Sequence, residues 1–568
     1  MPLSEAVLRQ FIGGSGLGAR LLLDEGGAHT DPLSPDAPLI FAFSPLVGSP
    51  LTTSAKFAVV STSPLTGRFN DSLAGSGFAL AGKACGADAL VIIGRARELS
   101  VLVIEDDAVR LEPAGDLQGA TCQATEEKLR ARLGAAFRIA SIGPAGERAV
   151  RYATISHDGR HAGRGGSGAV LGSKHIKAIA VRGTRRCEWA HPRELVELSR
   201  NLSQRSFGPA TAKYRELGTA ANMLTFNRFG TLPTRNFQTG TFDEAASLSP
   251  DQLSVEHART RASCVACTIG CEHIYSRLSD GGADLQVRPV RVEYESLFAL
   301  GSLCGVGDGA AVLRASGRCD ELGLDTISTG GTIAFAMECV ERGWLDEPWL
   351  TFGSGEAVLR AIELIGRREG LGALLAEGSR AAARAIGHDS IAFAPQVKGL
   401  EIPGYEPRAL QTMALGFAVG ARGADHNRSG AYEADFSDKV DRRHATRESV
   451  RHAIDTEDRA ALMDSLILCK FLRGVFDDFH AETADMLRLV TGWDVTADEL
   501  HDTARRIVAT KHEINLRAGW TLEEDTLPDR FLDTPLPNDP SAVLTRAQLK
   551  DLVDEYHRQR EWNAQPQT

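Results

Sequence analysis

The residue pattern of this chain changes near Thr184, and that change restricts it to a fold in which sheets and helices are segregated. Before it, short β-branched runs alternate with turn clusters such as 63–67 (SPLTG) and 143–146 (GPAG). After it, apolar residues recur at helical spacing, beginning at 191–205. Strands followed by helices are typical of α+β proteins. We predict an α+β fold in which a β-rich domain precedes two mainly α-helical domains, with bounds 1–188, 189–403 and 404–568.

The first domain is expected to contain many strands and few helices. The strands are predicted at 39–43, 57–63, 89–96, 100–106, 138–143 and 177–183, and the short helices at 77–87 and 125–134. This order favours an antiparallel or mixed sheet over a regular βαβ repeat. In the later domains, helices are predicted at 191–205, 309–323, 332–344, 356–370, 373–387, 445–475, 481–491, 499–515 and 544–560.

Composition excludes several classes of protein. The formal net charge is −11 and the pI is about 5.8, so we expect no broad basic face for nucleic acid. No window approaches roughly 18 uninterrupted apolar residues, so no membrane helix is expected. The N-terminus lacks a basic segment followed by an apolar one, which predicts a cytoplasmic protein without a signal peptide. Ten cysteines in 568 residues are too few for a disulfide scaffold.

Three of the cysteines lie close together, at Cys264, Cys267 and Cys271. In a reducing compartment such a group is expected to bind metal rather than form disulfides. The C-x2-C-x3-C spacing can place three thiolates around one face of an iron–sulfur cubane, whose fourth ligand must come from elsewhere. The alternative is zinc, with His273 as a fourth ligand. Because the chain lacks the second close cysteine pair of a zinc ribbon, we favour iron–sulfur.

Two segments share the pattern Asp-x-x-x-Leu followed by Asp or Cys, namely 320–325 and 464–469. Each can present a carboxylate and backbone groups at a helix end, so the pair could hold two similar halves of one ligand. Taken alone, the first segment is more typical of a solvated helix end. A glycine-rich stretch at 162–169 can bring backbone N–H groups close to phosphate, although tight β-turns use glycine as often.

These motifs, together with further blocks in the same order, make the chain resemble the tungsten-containing aldehyde:ferredoxin oxidoreductases over nearly its whole length. The blocks are SPLTG (63–67), ASIGPAGE (140–147), AGRGGSGAVLGSK (162–174), NFQTG (236–240), CVACTIGC (264–271), EYES (293–296), CDELGLDTISTGGT (319–332), DSLILCKF (464–471) and DTLPDRFL (525–532). The resemblance implies a tungsten or molybdenum bis-pterin cofactor, bound in part by the first domain, and one [4Fe-4S] cluster.

The resemblance also implies roles for individual residues. The cluster ligands would be Cys264, Cys267, Cys271 and Cys469. The cofactor contacts would be Lys56, Gly75, Ala162, Gly163, Arg164, Asp320, Leu324, Asp325, Arg428, Asp464 and Leu468. Among them, 162–164 and Arg428 would meet the pterin phosphates and a bridging Mg²⁺. Glu295 and His426 would be the acid–base residues near the metal, since aldehyde oxidation needs an activated water or a polarised carbonyl.

Several residues depart from the family pattern. The basic residue between pterin and cluster, usually Arg, is Lys56, which keeps the charge but loses the planar fork. Leu73 replaces a pterin-site Asn and Ile467 replaces a usual Gly. Asp425 replaces the Cys before the active-site His, where it would alter the pKa of that His, line the substrate funnel, or lie at the surface. The stretch 314–317 lacks the E-x-x-H of an intersubunit iron site, so none is expected. The sequence begins at what resembles the family's first helix, without the usual N-terminal strand segment, which corresponds either to a mis-set start or to a truncation that opens one sheet edge.

The leading hypothesis is therefore oxidation of a small aldehyde to its carboxylate, with electrons passing through the [4Fe-4S] cluster to ferredoxin or a related protein. One alternative keeps the cofactors but acts as a low-potential reductase on another substrate. Another is an iron–sulfur electron-transfer subunit without pterin chemistry. The resemblance further implies a homodimer. The remaining cysteines are expected to be buried packing residues, namely Cys85, Cys122, Cys187, Cys304, Cys319 and Cys339.

Overall fold

The computed structural model of the protein describes residues 2–279, 282–283 and 289–562. Its N-terminal part, up to residue 183, contains two sheets. The first is antiparallel with the order β3-β2-β1-β4, formed by β1 (Leu39–Ala42), β2 (Lys56–Thr62), β3 (Phe69–Gly75) and β4 (Ala89–Ile92). The second has the order β6-β5-β10-β7-β8-β9, formed by β5 (Ser100–Glu105), β6 (Ala108–Pro113), β7 (Arg138–Ser141), β8 (Ile155–His157), β9 (Arg160–Ala162) and β10 (Ile176–Arg182).

In the second sheet β5 and β10 run parallel, while its other neighbouring strands are antiparallel. The prediction of an antiparallel or mixed sheet is therefore confirmed. The helices of this part are α1 (Glu5–Phe11), α2 (Gly14–Asp24), α3 (Gly77–Ala84), α4 (Cys122–Leu133), α5 (Pro144–Glu147) and α6 (Ser167–Ser173). Helix α2 packs closely against β2, and a Cβ added at Gly18 would lie only 2.5 Å from Val60 Cγ2.

All six predicted strands form, but β3, β6, β8 and β9 have no clear signal in the sequence pattern. Strand β3 lacks that signal because Asn70, Asp71 and Ser72 are buried polar residues on a central part of the strand, so apolar and polar residues do not alternate. This strand matters, since it forms one wall of the site described below.

The remainder of the chain is mainly helical, which confirms the predicted fold class. Its helices are α7 (Pro192–Ser206), α8 (Pro209–Leu217), α9 (Asn222–Arg228), α10 (Pro250–Glu256), α11 (Tyr294–Leu300), α12 (Gly309–Leu322), α13 (Thr326–Glu341), α14 (Gly355–Arg367), α15 (Leu371–Leu375), α16 (Ser379–Ile386), α17 (Gln411–Val419), α18 (His426–Ser429), α19 (Tyr432–Asp435), α20 (Arg447–Leu466), α21 (Phe479–Thr491), α22 (Ala497–Arg517) and α23 (Arg546–Gln559). Short strands complete it: β11 (His257–Ala262), β12 (Glu272–Ser279), β13 (Gly282–Ala283), β14 (Val290–Val292), β15 (Gln396–Val397) and β16 (Leu400–Glu401).

Two helix predictions are wrong in their extent. The segment 373–387 is not one helix, because Gly378 between α15 and α16 has φ +86°. The helix predicted at 445–475 ends at Leu466, since Ile467 adopts a left-handed conformation. The paired strands β11 and β12, which flank the cysteine loop, are not predicted from the sequence.

Membrane-spanning segments were sought by length and hydropathy. Among the described residues, no single helix is long and apolar enough to cross a membrane. One bent pair, Tyr294–Cys304 with Gly309–Leu322, passes by length and composition only.

Candidate functional site

A cavity of about 970 Å³ brings almost all of the predicted site residues together. Its walls come from β2 and β3, the β8–β9 turn, α9, α11, the α12–α13 junction, α18 and the end of α20. Of the predicted site residues, Ala162 alone is not in the wall; it is fully buried in β9. The volume lies at the upper end of the about 300–1,000 Å³ typical of small-molecule and cofactor sites.

Asp320 lies in the last turn of α12, which ends at Leu322. Gly323 follows with φ 75°, and the amide of Leu324 donates to the carbonyl of Cys319 at 2.9 Å, as in a Schellman motif. The Asp320 side chain is 38% exposed, and it lines the cavity. Burial of the site raises the pKa of its carboxyl to about 7. The segment therefore forms a helix end whose carboxylate lines the cavity.

Asp464 occupies the equivalent position at the end of α20. Here Ile467 takes the left-handed conformation, with φ 66°, and the amide of Leu468 donates to the carbonyl of Met463 at 2.9 Å. The two Asp-x-x-x-Leu segments thus share one backbone structure. A β-branched residue in this conformation costs about 1–2 kcal/mol, which explains why glycine suits the position. The Ile467 side chain is fully buried in the core beneath the first sheet, and that burial offsets the strain.

The glycine-rich turn that follows β9 faces the cavity at Gly163. A Cβ added there would meet no atom within 4 Å, so the backbone is open to the cavity. At Gly165, with φ +84°, a Cβ would lie 1.9 Å from Asn70 Oδ1, and only glycine fits. Ser72 Oγ donates to the carbonyl of Arg164 at 2.8 Å and ties the turn to β3. The turn can therefore present backbone groups to a ligand.

The side chain of Arg164 makes most of its contacts within the protein. Its Nη1 donates to the carbonyl of Ala424 at 2.7 Å, Nη2 donates to the carbonyl of Glu401, and Nε donates to Asp325 Oδ2 at 3.3 Å. Asp325 in turn accepts from the amides of Ile327 and Ser328 and caps α13. Arg164 thus joins the start of α13 to the loop before α18, and its predicted phosphate contact stays a prediction.

Arg428 belongs to a group of buried cations around Asp71. Its Nε donates to Asp71 Oδ1 at 2.6 Å, and its Nη1 lies 3.2 Å from Asp464 Oδ2. Lys511 Nζ lies 2.9 Å from Asp71 Oδ2, and Arg422 Nη1 lies 3.6 Å from Asp71 Oδ1. Burial would raise the pKa of Asp71, but these three cations outweigh it and hold the pKa well below its usual range. The three cations are shared among Asp71, Asp464 and Asp425. Two nitrogens of Arg422, Nε and Nη2, keep no hydrogen-bond partner among the described residues and can meet an anionic ligand.

We expect Asp71→Asn to destabilise the protein by about 3–5 kcal/mol, because it leaves buried cations without their anion. The melting temperature in differential scanning calorimetry would report the loss. Since the pKa of Asp71 is lowered, its stabilisation is present above pH 3.8 and is lost only as the pH falls through the lower folded-state pKa. Asp24→Asn, in the exposed Arg20–Asp24 pair, is the control and should change stability by less than about 1 kcal/mol. Equal effects of the two variants would contradict the prediction.

The four predicted cluster cysteines line one part of the cavity. Three lie in the loop between β11 and β12, and Cys469 follows α20. Thr53 joins the two segments: its amide donates to the carbonyl of Ala266 at 2.6 Å, and its Oγ1 accepts from the Cys469 amide at 3.2 Å. All four are half-buried free thiols, as is Cys187, whereas the other five cysteines are buried. Burial is therefore as expected for all the remaining cysteines except Cys187.

The zinc alternative is not supported by this geometry. His273 is buried, and its Nε2 lies 3.3 Å from the carbonyl of Tyr214. Among the described residues, no group of three or more His, Cys, Asp or Glu side chains is arranged to hold one metal ion. The ligands of a polynuclear cluster need not lie as close together as those of a single ion, because the cluster itself occupies the space between the thiolates.

Two cations border the cysteines. Lys56 pairs with Gly75 across β2 and β3, and a Cβ at Gly75 would lie 3.5 Å from Cys264 Sγ. Burial lowers the pKa of Lys56, but Cys469 and Cys264 outweigh it, so the pKa is raised and the ammonium stays charged. Arg160, which sequence analysis does not identify, also has a raised pKa, because Cys264 and nearby acidic groups outweigh its burial.

Glu272 holds Arg160 in place. Its Oε1 accepts from Arg160 Nε at 2.7 Å and from Cys264 Sγ at 3.2 Å, while Arg291 Nη2 lies 2.7 Å from its Oε2. The sequence signal for Glu272 is its position directly after Cys271, but a single acidic residue beside a cysteine has little specificity.

Glu295 and His426 lie side by side, with 3.7 Å between Glu295 Oε1 and His426 Nε2. Glu295 is at the start of α11, and its Oε2 accepts from the Gly404 amide at 3.0 Å. His426 begins α18, and the side-chain nitrogen Nδ2 of Asn427 lies 2.9 Å from its Nε2. Burial raises the pKa of Glu295 to about 8 and lowers that of His426 to about 4. At neutral pH both groups are therefore uncharged, a protonated acid beside an unprotonated base.

Asp425 is buried and lines the cavity, so the surface alternative for this residue is wrong. Its Oδ1 caps α18 by accepting from the amides of Asn427 and Arg428 at 2.8 and 3.0 Å. Burial would raise its pKa, but Arg422, Arg428 and Arg164 outweigh burial, and the pKa is lowered. As an anion, Asp425 partly offsets the effect of burial on the pKa of His426.

Several residues in the cavity wall carry buried polar atoms that have no hydrogen-bond partner among the described residues. They are Arg422 (Nε and Nη2), Arg291 (Nε), Glu295 (Oε1) and His426 (Nδ1). Unpaired buried polar groups are costly and rare in native proteins. Their place in the cavity wall, beside an open glycine turn and a group of cations, fits a large polar ligand with anionic groups. The donor set is therefore compatible with a phosphorylated cofactor.

Comparison with known proteins agrees with this site. Residues 1–183 match the model of the aldehyde ferredoxin oxidoreductase N-terminal domain, and residues 197–567 match that of domains 2 and 3. The chain is 36% identical to the tungsten-containing aldehyde ferredoxin oxidoreductase of Pyrococcus furiosus, over 98% of this chain and 93% of that protein. It is 28% identical to the WOR-like subunit of an aliphatic sulfonate oxidoreductase of the same organism, over 98% and 90% of the two chains.

Among solved structures, the fold resembles the active-site complex of benzoyl coenzyme A reductase bound to 1,5-dienoyl-CoA. The TM-score is 0.82 at 23% identity, covering 99% of this chain and 92% of that chain, and this likeness concerns the fold alone. The family matches define an oxidoreductase. More narrowly, the chain belongs to the aldehyde ferredoxin oxidoreductase family, as its sequence motifs indicate.

Proposed function

We propose that the protein oxidises an aldehyde to its carboxylic acid at a tungsten bis-pterin centre and passes the electrons to ferredoxin. The observation that carries the proposal is the single cavity lined by the Glu295–His426 pair, the two equivalent aspartate segments and the four cysteines. The relatives' name, with its tungsten and ferredoxin, supports the same assignment. An electron-transfer subunit without pterin chemistry is not favoured, because the acid–base pair and both aspartates are present together. A low-potential reductase would use the same residues, and it is the relatives' name that favours aldehyde oxidation over it.

The residues proposed to hold the cofactor form two groups in and beside the cavity wall. Asp320 and Asp464, with the backbone of Leu324, Asp325 and Leu468, would each meet one pterin of the pair. The backbone at 162–164, with the guanidinium groups of Arg428 and Arg422, would meet phosphates and a bridging Mg²⁺. Arg422 is added to the predicted set because two of its buried nitrogens lack partners. Cys264, Cys267, Cys271 and Cys469 would bind a [4Fe-4S] cluster.

The bound metal and cluster would supply the redox chemistry, accepting two electrons from the substrate and releasing them singly. Overall, an aldehyde and one water give a carboxylic acid, two protons and two electrons. The chain's own residues handle the protons. Glu295, protonated at neutral pH, can donate at Oε1 to the carbonyl oxygen, while the unprotonated imidazole of His426 can accept a proton from the water. Gly404 fixes the other oxygen of Glu295, which keeps the acid oriented.

The experiment that tests the proposal is metal analysis of the purified protein combined with an aldehyde assay. We expect tungsten, or molybdenum in its place, at about one atom per chain beside about four iron atoms. Aldehyde-dependent reduction of a viologen dye, and then of ferredoxin, should accompany the loaded protein. Zinc without iron would contradict the proposal, as would a fully loaded protein that reduces neither acceptor with any aldehyde in a broad panel.

A further inference from the structure

A row of aromatic rings runs through the cavity from the protein surface to the Glu295–His426 pair. Phe229 and Phe436 have ring centroids 6.0 Å apart, and Phe436 stacks on Phe226 at 5.0 Å. Phe226 lies 5.3 Å from Tyr405, and Tyr405 stacks on His426 at 5.0 Å. Each of these spacings falls within the about 4.5–7 Å at which aromatic rings attract one another.

The exposure of the rings falls along the row. Phe229 is 42% exposed and Phe436 is 36% exposed, whereas Phe226 and Tyr405 are 5% and 4% exposed. All four line the cavity, so the cavity opens to solvent at the first two rings. Arg442 holds the outermost ring: its guanidinium lies 5.0 Å above Phe229, and its Nη2 donates to the Phe229 carbonyl at 3.1 Å. The row thus follows an entry path from a fixed mouth to the acid–base pair.

The apolar part of the wall along this path is aromatic. Its apolar side chains, which come from α9, α19 and the loop before α17, are aromatic, whereas the aliphatic residues of the cavity wall belong to the cofactor and cysteine segments. Flat, polarisable walls bind flat rings by stacking and edge-to-face contacts, and a saturated group of the same size gains less from them. A short aliphatic chain would fill little of the path.

We infer that this path selects aromatic aldehydes, with the substrate ring held against the wall formed by Phe226, Phe436 and Tyr405 while its aldehyde group reaches Glu295 and His426. This inference rests on the proposed function, because it concerns the substrate of the same site. Phe226, Phe229, Phe436 and Tyr405 are accordingly specificity-determining residues.

The test compares kcat/KM of the holoenzyme for benzaldehyde, cyclohexanecarbaldehyde and acetaldehyde. We expect benzaldehyde to be preferred over cyclohexanecarbaldehyde by at least about tenfold. Phe436→Leu and Phe226→Leu should each lower the benzaldehyde-to-acetaldehyde ratio by about three- to tenfold. The matched control is Phe207→Leu: Phe207 is 54% exposed with Arg215 stacked on it at 4.1 Å, like Phe229 with Arg442, but it lies outside the cavity and should not change the ratio.

A binding measurement separates this inference from the proposed function. Benzamide and cyclohexanecarboxamide cannot be oxidised as aldehydes, and calorimetric titration gives their affinities for the holoenzyme directly. We expect benzamide to bind at least about fivefold more tightly, and Phe436→Leu to remove that preference. If the holoenzyme oxidised no aldehyde but still bound benzamide more tightly than cyclohexanecarboxamide, the proposed function would be overturned and the aromatic path supported. Equal use or equal binding of the phenyl and cyclohexyl compounds would overturn the aromatic path alone.

Discussion

Glu295→Gln is expected to lower kcat for aldehyde oxidation by about 10²–10⁴-fold, the usual contribution of a positioned general acid. Glutamine keeps the shape of the side chain and can still accept the 3.0 Å hydrogen bond from the Gly404 amide through its carbonyl oxygen. It cannot transfer a proton to the carbonyl oxygen of the substrate. Steady-state kinetics of the variant, normalised to its tungsten and iron content, would measure the loss of the acid separately from any loss of cofactor.

The pH profile of the same reaction should show the titrations of Glu295 and His426. The pKa of Glu295 is raised to about 8, so the acid is present below that pH and is lost as the pH rises through it. The pKa of His426 is lowered to about 4, so the base is present above that pH. We expect kcat/KM to form a plateau between these limits, and the residual activity of Glu295→Gln to lack the upper limb.

A control for Glu295→Gln is Glu126→Gln, which removes another buried carboxyl whose pKa burial raises, here to about 7. Glu126 accepts from Ser156 Oγ and the Asp158 amide and does not line the cavity. Its replacement should leave kcat and the pH profile unchanged. An upper limb that persists in Glu295→Gln would assign that titration to another group and remove the acid role of Glu295.

Local motifs account for the part of the site that the sequence predicts well. The two aspartate segments are recognisable because a helix end, a left-handed residue and a leucine occur within five consecutive positions. The cysteine loop is equally local. What the sequence does not predict depends on tertiary contacts: Asp71 is an unremarkable strand residue until Arg422, Arg428 and Lys511 surround it.

The difference between local motifs and tertiary contacts also explains what the sequence does not predict correctly. The identity of Asp425 is visible in the sequence, but its burial is not, because burial depends on packing against distant segments such as the turn that carries Arg164. The aromatic path combines α9, α19 and the loop before α17, and no periodicity in the sequence relates those segments. The position of Arg160 also depends on a distant strand, since it is held by Glu272, which in turn pairs with Arg291. Resemblance to a known family can identify a distant ligand such as Cys469, because that residue lies in a recognisable motif. It cannot identify a distant contact residue that lies outside any motif.

Cys469→Ala is expected to remove most of the iron–sulfur cluster while leaving the fold intact. Loss of one of four thiolate ligands opens the cluster to solvent, and iron should fall from about four atoms per chain to well below that, with loss of its visible absorption. The backbone contact that fixes the segment, from the Cys469 amide to Thr53 Oγ1 at 3.2 Å, does not involve the thiol. Iron analysis, absorption spectra and far-ultraviolet circular dichroism together measure both outcomes.

Cys187→Ala separates a ligand effect from the general loss of a thiol. Cys187 is also a half-buried free cysteine, but its Sγ lies 3.6 Å from the carbonyl of Val47 and it does not line the cavity. Its replacement should leave the iron content and the spectrum unchanged. If Cys469→Ala retained four iron atoms per chain with an unaltered spectrum, Cys469 would not be a ligand. The cluster would then depend on the loop cysteines with another fourth ligand, and the role of Thr53 in joining α20 to that loop would be structural alone.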